Sequence, residues 1–109
     1  MPHYLVEFAY TPETWAALIK KPEDRSAAVE ALLKSAGGRL VSLYYHAGES
    51  DGTIIAELPN DQAANAVALA AHASGTLRTT RTTRLYTPRE TIDALTQAGT
   101  LTFRGAGKS

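Results

Sequence analysis

The chain has no cysteine, no surplus of charge of either sign and no long apolar run. Without cysteine it forms neither disulfides nor thiolate metal sites, and it has no cysteine nucleophile. Eleven basic and eleven acidic side chains give a formal net charge of zero, so the long-range field that attracts nucleic acid or acidic lipid is missing. No apolar run approaches the roughly 20 residues that a membrane-spanning helix needs. We therefore expect neither a nucleic-acid nor a membrane partner.

The N-terminal segment MPHYLVEFAYTPE has no basic stretch and becomes polar too early for a signal peptide. We therefore expect a cytoplasmic location. A length of 109 residues, with 44% apolar and 20% charged side chains, fits one globular domain with a single core. We expect this domain to span residues 1–98, and the glycine-rich residues 99–109 to form a flexible tail.

Four segments have the composition and boundaries of β-strands. Aromatic and β-branched residues are frequent in them, and glycine or proline bounds most of them. They are residues 3–10, 39–46, 53–58 and 76–86. In the first, alternation puts Tyr4, Val6 and Phe8 on one face and His3, Leu5 and Glu7 on the other.

Helix signals fall between these strands. Thr11 is a suitable N-cap, and Pro12 at the first helical position loses no hydrogen bond there. The pair Lys21-Pro22 should interrupt the first helix, because the ring disfavours the α conformation at Lys21. Further helices are predicted over residues 23–36, 62–73 and 88–97. The helix predicted over residues 62–73 is so rich in alanine that we expect it to lie close to whatever it covers.

The element order βαββαβ, followed by a short helix, is the split βαβ arrangement. It predicts an α+β, ferredoxin-like fold, in which an antiparallel four-stranded sheet carries helices on one face. Between the second and third strands, the Asp51-Gly52 pair is a hairpin signal, since glycine accepts the positive φ that such turns require.

The middle of the chain resembles the GYD-domain family of small bacterial proteins. The resemblance rests on a helix ending in Gly-Gly, then GRLVSLYYHAGESD, TIIAELPND, a helix and an RTT-type strand. The motif that names the family is Gly-x-Tyr-Asp. Gly48, Glu49 and Asp51 fit this motif, and Ser50 replaces the tyrosine. The resemblance implies a ferredoxin-like fold of the dimeric α+β barrel type and no particular reaction.

The side of the sheet that no helix covers, here called the bare face, mixes polar and bulky apolar residues. Period-two alternation assigns to it Leu5, Glu7, Leu40, Ser42, Tyr44, His46, Thr53, Ile55 and Glu57. Such a face is too apolar for water, so we expect a second copy's sheet to cover it. The result would be a homo-oligomer, at least a dimer, that encloses a small ligand cavity with a few convergent polar groups.

The best candidate for general acid/base catalysis is His46 with Glu7 or Glu57, because histidine titrates near neutral pH. Alternatively, His46 is simply solvated and the glutamates are interface charges. Tyr44 either orients a ligand or packs in the interface. In the run RTTRTTR, Arg81 faces opposite to Arg78 and Arg84. The run is either a solvated or partner-facing edge, or Arg81 enters the bare face and pairs with Glu7, Glu57 or a carboxylate ligand.

Three functions remain open at this point. One is an oligomeric module that binds a small organic molecule between its sheets. Another is a small cofactor-independent enzyme that uses His46 or Tyr44, and the third is a purely structural oligomer. No metal site is expected, because the three histidines lie in different elements without ligand spacing, and no cofactor is expected.

Overall fold

The computed structural model describes residues 1–108. Across them the chain forms β1 (His3–Tyr10), α1 (Pro12–Lys20), α2 (Ser26–Ser35), β2 (Arg39–Tyr45), β3 (Gly52–Glu57), α3 (Asp61–Ala73), β4 (Leu77–Leu85) and α4 (Pro88–Ala98). The strands pair antiparallel in the order β2-β3-β1-β4. This α+β architecture confirms the predicted ferredoxin-like class. The predicted tail starts just after α4, and its last residue, Ser109, lies outside the described residues.

The helix boundaries follow the local signals. The Thr11 Oγ1 atom accepts the Thr14 N–H at 3.2 Å, with Pro12 at the first helical position. The predicted interruption separates α1 from α2 between Lys20 and Ser26. At the end of α2, Gly37 adopts a φ of 86°, the left-handed conformation that glycine tolerates best.

The core lies between the sheet and helices α2 and α3. Its buried side chains come from both central strands, from α2 and α3, and from Leu58 just after β3. Tyr4 stands opposite Ala56, and Val6 opposite Ile54, so these side chains share the helix-covered face as the alternation of β1 predicts. Leu33 is completely buried against them.

A β-bulge in β2 changes the face of one predicted residue. The register shifts between Leu40 and Ser42, which breaks the period-two alternation. Leu40 therefore pairs with Ala56 and packs against the core, so its assignment to the bare face is wrong. Arg39 lies opposite Glu57 instead.

Gly52 has a different role from the predicted one. It is the first residue of β3 and is buried, and the positive φ of this hairpin belongs to Gly48, at 131°. A Cβ atom on Gly52 would lie 2.4 Å from Cζ of Phe8. Glycine is needed here because the Phe8 ring occupies the space of a side chain.

Helix α4 stands away from the rest of the chain. It buries none of its residues, and the exposed fractions of Ile92 and Leu95 are 52% and 66%. The radius of gyration is 17.9 Å, against about 13 Å for a compact domain of this length. None of the helices in residues 1–108 is long and apolar enough to cross a membrane.

Candidate functional site

The bare face collects several of the predicted site residues. On β1, His3, Leu5 and Glu7 stand opposite Glu57, Ile55 and Thr53 of β3. On the other side of β1, Arg81 of β4 stands opposite Glu7. The register therefore makes Glu7 and Arg81 neighbours, although no ion pair joins them among the described residues.

Glu57 forms a charged cluster across three strands. Its Oε1 atom lies 3.1 Å from Nε2 of His3, and its Oε2 atom contacts Nε of Arg39. The Glu57 side chain is 15% exposed, so water screens this contact less than a fully exposed pair. Neither His3 nor Arg39 was among the predicted site residues. The alternation of β1 already puts His3 on the bare face. For Arg39, alternation predicts the opposite face, because the sequence does not reveal the bulge in β2.

His46 does not reach either glutamate in a direct bond. Its Nε2 atom lies 2.7 Å from Oγ1 of Thr53. Thr53 stands opposite Tyr44 in the register, and the Tyr44 side chain is mostly exposed. His46, Thr53 and Tyr44 thus form a polar group at the β2 edge of the bare face, apart from the Glu57 cluster.

The histidines each bond to a different partner. His3 contacts Glu57, His46 contacts Thr53, and Nε2 of His72 lies 3.0 Å from Oγ1 of Thr80. Within residues 1–108, no three histidine or acidic side chains converge as a metal site would require.

A partly enclosed apolar space lies on the opposite, helix-covered side of the sheet. It is a cavity of about 300 Å³, partly open to solvent, between α2, α3 and the sheet. Its walls are largely apolar and include Val29, Leu32, Leu33, Ile54 and Val67. The α3 wall consists mostly of small residues, among them Ala64, Ala68 and Ala71. These small side chains leave part of the space beside α3 unfilled.

Polar groups gather around Tyr10 in the cavity wall. Its hydroxyl lies 2.9 Å from that of Tyr45, and its ring packs edge-on against Trp15 with centroids 5.1 Å apart. Burial raises the pKa of the Tyr10 hydroxyl well above its usual value, and the Tyr45 hydrogen bond adds to this rise. The nearby Arg25 guanidinium lowers that pKa slightly. Tyr10 is therefore a neutral hydrogen-bonding group at neutral pH, next to a cation.

Asp51 joins the β2–β3 hairpin to the end of β1. Its Oδ2 atom accepts the Tyr10 backbone N–H at 2.9 Å and the Trp15 Nε1–H at 3.2 Å. Its own backbone N–H donates to the Phe8 carbonyl at 2.8 Å. These bonds give the aspartate of the Gly-x-Tyr-Asp motif a structural role.

The element order and the antiparallel sheet are those of a small ferredoxin-like α+β domain. The GYD domain family matches residues 4–95, and the chain belongs to that family. No curated protein matches it.

Proposed function

We propose that this protein is a homo-oligomeric module that binds a small, mainly apolar organic molecule. The cavity between α2, α3 and the sheet is the observation that carries the proposal. Its volume of about 300 Å³ is at the lower end of the range for ligand pockets. It is about twice the volume of the engineered cavity that accepts benzene. The sequence-based hypothesis put the ligand between two sheets; this proposal moves it to the other side of the sheet.

The largely apolar walls of this cavity are unfavourable in water. Because the cavity is partly open, solvent reaches those walls, and exposed apolar surface costs roughly 25 cal/mol per Å². A ligand that removes the apolar walls from water would offset this cost.

Two exposed surfaces support the homo-oligomer. The bare face exposes Tyr44 at its β2 edge and has Leu5 and Ile55 at its centre. Helix α4 has 11 residues, and a helix of that length is marginal in water without packing. A second copy of this chain is the partner that fits the bare face best, because its own bare face offers the same mixture of apolar side chains and side chains of opposite charge.

Calorimetric titration with 2-naphthamide, a neutral compound with two fused rings, tests the ligand claim. Ala68→Phe fills the cavity from α3, and Ala66→Phe is the matched control, because Ala66 is exposed on the same helix and lies outside the cavity wall. We expect wild type and Ala66→Phe to bind the probe, and Ala68→Phe to bind it at least tenfold more weakly. Unchanged binding by Ala68→Phe, or no binding by wild type, contradicts the proposal.

Sedimentation velocity at micromolar concentration tests the oligomer separately. We expect a species of at least two copies. A single species with the mass of one chain would overturn the oligomer claim and leave the cavity claim to the titration.

The His3–Glu57 contact favours a second candidate, an enzyme whose site lies on the bare face. A histidine paired with a carboxylate can abstract a proton next to a carbonyl group. The probe is the exchange of methyl protons of acetophenone in D2O, followed by NMR. Faster exchange with wild type and with His72→Gln, but not with His3→Gln, supports this candidate. Equal exchange rates in buffer and with all three proteins exclude this candidate.

A further inference from the structure

The ligand class follows from the charge in the cavity wall, and this inference rests on the proposed function. We infer that the cavity selects an apolar molecule with a single carboxylate, which Arg25 binds at the mouth. The cavity supplies the apolar contact area, and the guanidinium supplies the charge that fixes the ligand's orientation.

Arg25 is the only charged side chain in the cavity wall among the described residues. It precedes α2, and its guanidinium is close enough to the Tyr10 hydroxyl to affect the pKa of that group. Its side chain is 28% exposed. Arg25 therefore lies at the boundary between the cavity and solvent, where the polar end of an amphipathic ligand would rest.

Several of the other polar groups in the wall already have partners. Thr80 bonds to His72, and Ser74 bonds to Thr76 at 2.9 Å. Arg25 is different, because a guanidinium has five N–H donors. Its Nη1 atom donates to Oε1 of Glu23 at 2.9 Å. The guanidinium also lies near the Tyr10 hydroxyl, and its remaining donors are available for a ligand.

The Glu23 contact does not prevent such binding. The Glu23 side chain is 54% exposed and lies two residues from Arg25, and pairs of this kind are weak because water and salt screen them. The neighbouring Asp24 is engaged elsewhere, since its Oδ1 atom accepts the Ser26 N–H at 2.9 Å. A carboxylate held partly inside the cavity would be screened less than Glu23, and it would match the planar fork of the guanidinium.

The experiment compares 2-naphthoate with 2-naphthamide, which has the same rings and no charge, by calorimetry at pH 7 and low salt. The variants are Arg25→Gln and the control Lys34→Gln. Lys34 also belongs to the α2 region and is exposed, but it lies outside the cavity wall. We expect wild type and Lys34→Gln to bind the acid about tenfold more tightly than the amide. Arg25→Gln should bind both compounds with the weaker affinity.

The outcomes separate this inference from the function on which it rests. Equal affinity of wild type for acid and amide, or an unchanged preference in Arg25→Gln, overturns the role of Arg25 and leaves the cavity function intact. If wild type binds neither compound, both proposals fail. Retention of amide binding by Arg25→Gln also shows that the variant is folded, so a selective loss of acid binding is a charge effect.

Discussion

The Asp51 carboxylate accepts the backbone N–H of Tyr10 at 2.9 Å, across 41 positions of sequence. The same oxygen accepts the indole N–H of Trp15 at 3.2 Å. One side chain thus fixes the hairpin, the end of β1 and the first turn of α1 relative to each other. Because Tyr10 also lines the cavity, the motif aspartate positions part of the proposed binding site.

Replacing Asp51 should destabilise the fold. Asp51→Ala leaves the Tyr10 N–H without its acceptor, and an unsatisfied donor of this kind costs about 1–3 kcal/mol. Asp51→Asn keeps one carbonyl oxygen and should lose less. Urea unfolding followed by Trp15 fluorescence measures the free energy of unfolding. Glu49→Ala, in the same turn and exposed, is the control and should change it little; equal losses for Glu49→Ala and Asp51→Ala would refute this role of the aspartate.

A methyl group at Gly52 should also be costly. The added Cβ would lie 2.4 Å from the Phe8 ring, and overpacking of a core costs about 1–3 kcal/mol. Gly99 provides the control, because its φ is −62° and the nearest atom to an added Cβ is 3.4 Å away. We expect Gly52→Ala to lower the unfolding midpoint and Gly99→Ala to leave it unchanged or slightly higher. A Gly52→Ala variant as stable as wild type would show that the ring has room to move.

The sequence alone was sufficient to predict those structural features that depend on interactions between neighbouring residues. The alternation in β1, the caps at Thr11 and Thr87 and the interruption at Pro22 all depend on neighbouring residues. Contacts between distant residues were not accessible in this way. Leu40 moves to the other face because of a bulge, and Gly52 is needed because a ring from β1 lies over it.

The residues of the candidate site show the same difference between local and distant interactions. Alternation was enough to put Glu7 and Glu57 on one face, and the same rule applied to His3. It could not reveal Arg39, because the bulge changes the phase of β2. The cavity was missed for another reason: its volume depends on the separation of α2 from α3, which the composition of α3 alone does not determine.

The N-terminus of α4 should respond to acid. The Thr87 backbone N–H and the Arg84 guanidinium lower the pKa of Glu90 below its ordinary value of 4.5. A carboxyl group whose pKa is lowered by folding stabilises the fold above its unfolded pKa, and this contribution is lost as pH falls through the folded value. Amide hydrogen exchange in α4 should therefore accelerate relative to α3 below about pH 4.5. Glu90→Gln should abolish that pH dependence, and an unchanged profile would contradict the role of the cap.

Deleting residues 88–109 tests whether α4 stabilises the oligomer. Since α4 buries no residue within its own chain, the free energy of unfolding of a single chain should change by less than about 1 kcal/mol, as for other exposed sites. The sedimentation coefficient should shift towards the monomer, and the affinity for 2-naphthamide should stay the same. A large loss of stability together with an unchanged oligomer would show that α4 packs on its own chain.

The location of the ligand is the central claim, and NMR of methyl groups tests it most directly. Val67 and Leu33 line the cavity, whereas Leu5 and Ile55 lie on the bare face. With 2-naphthamide bound, we predict intermolecular nuclear Overhauser effects from the naphthyl protons to methyl groups of Val67 and Leu33. Effects to Leu5 and Ile55 instead would put the ligand between two sheets and contradict the account.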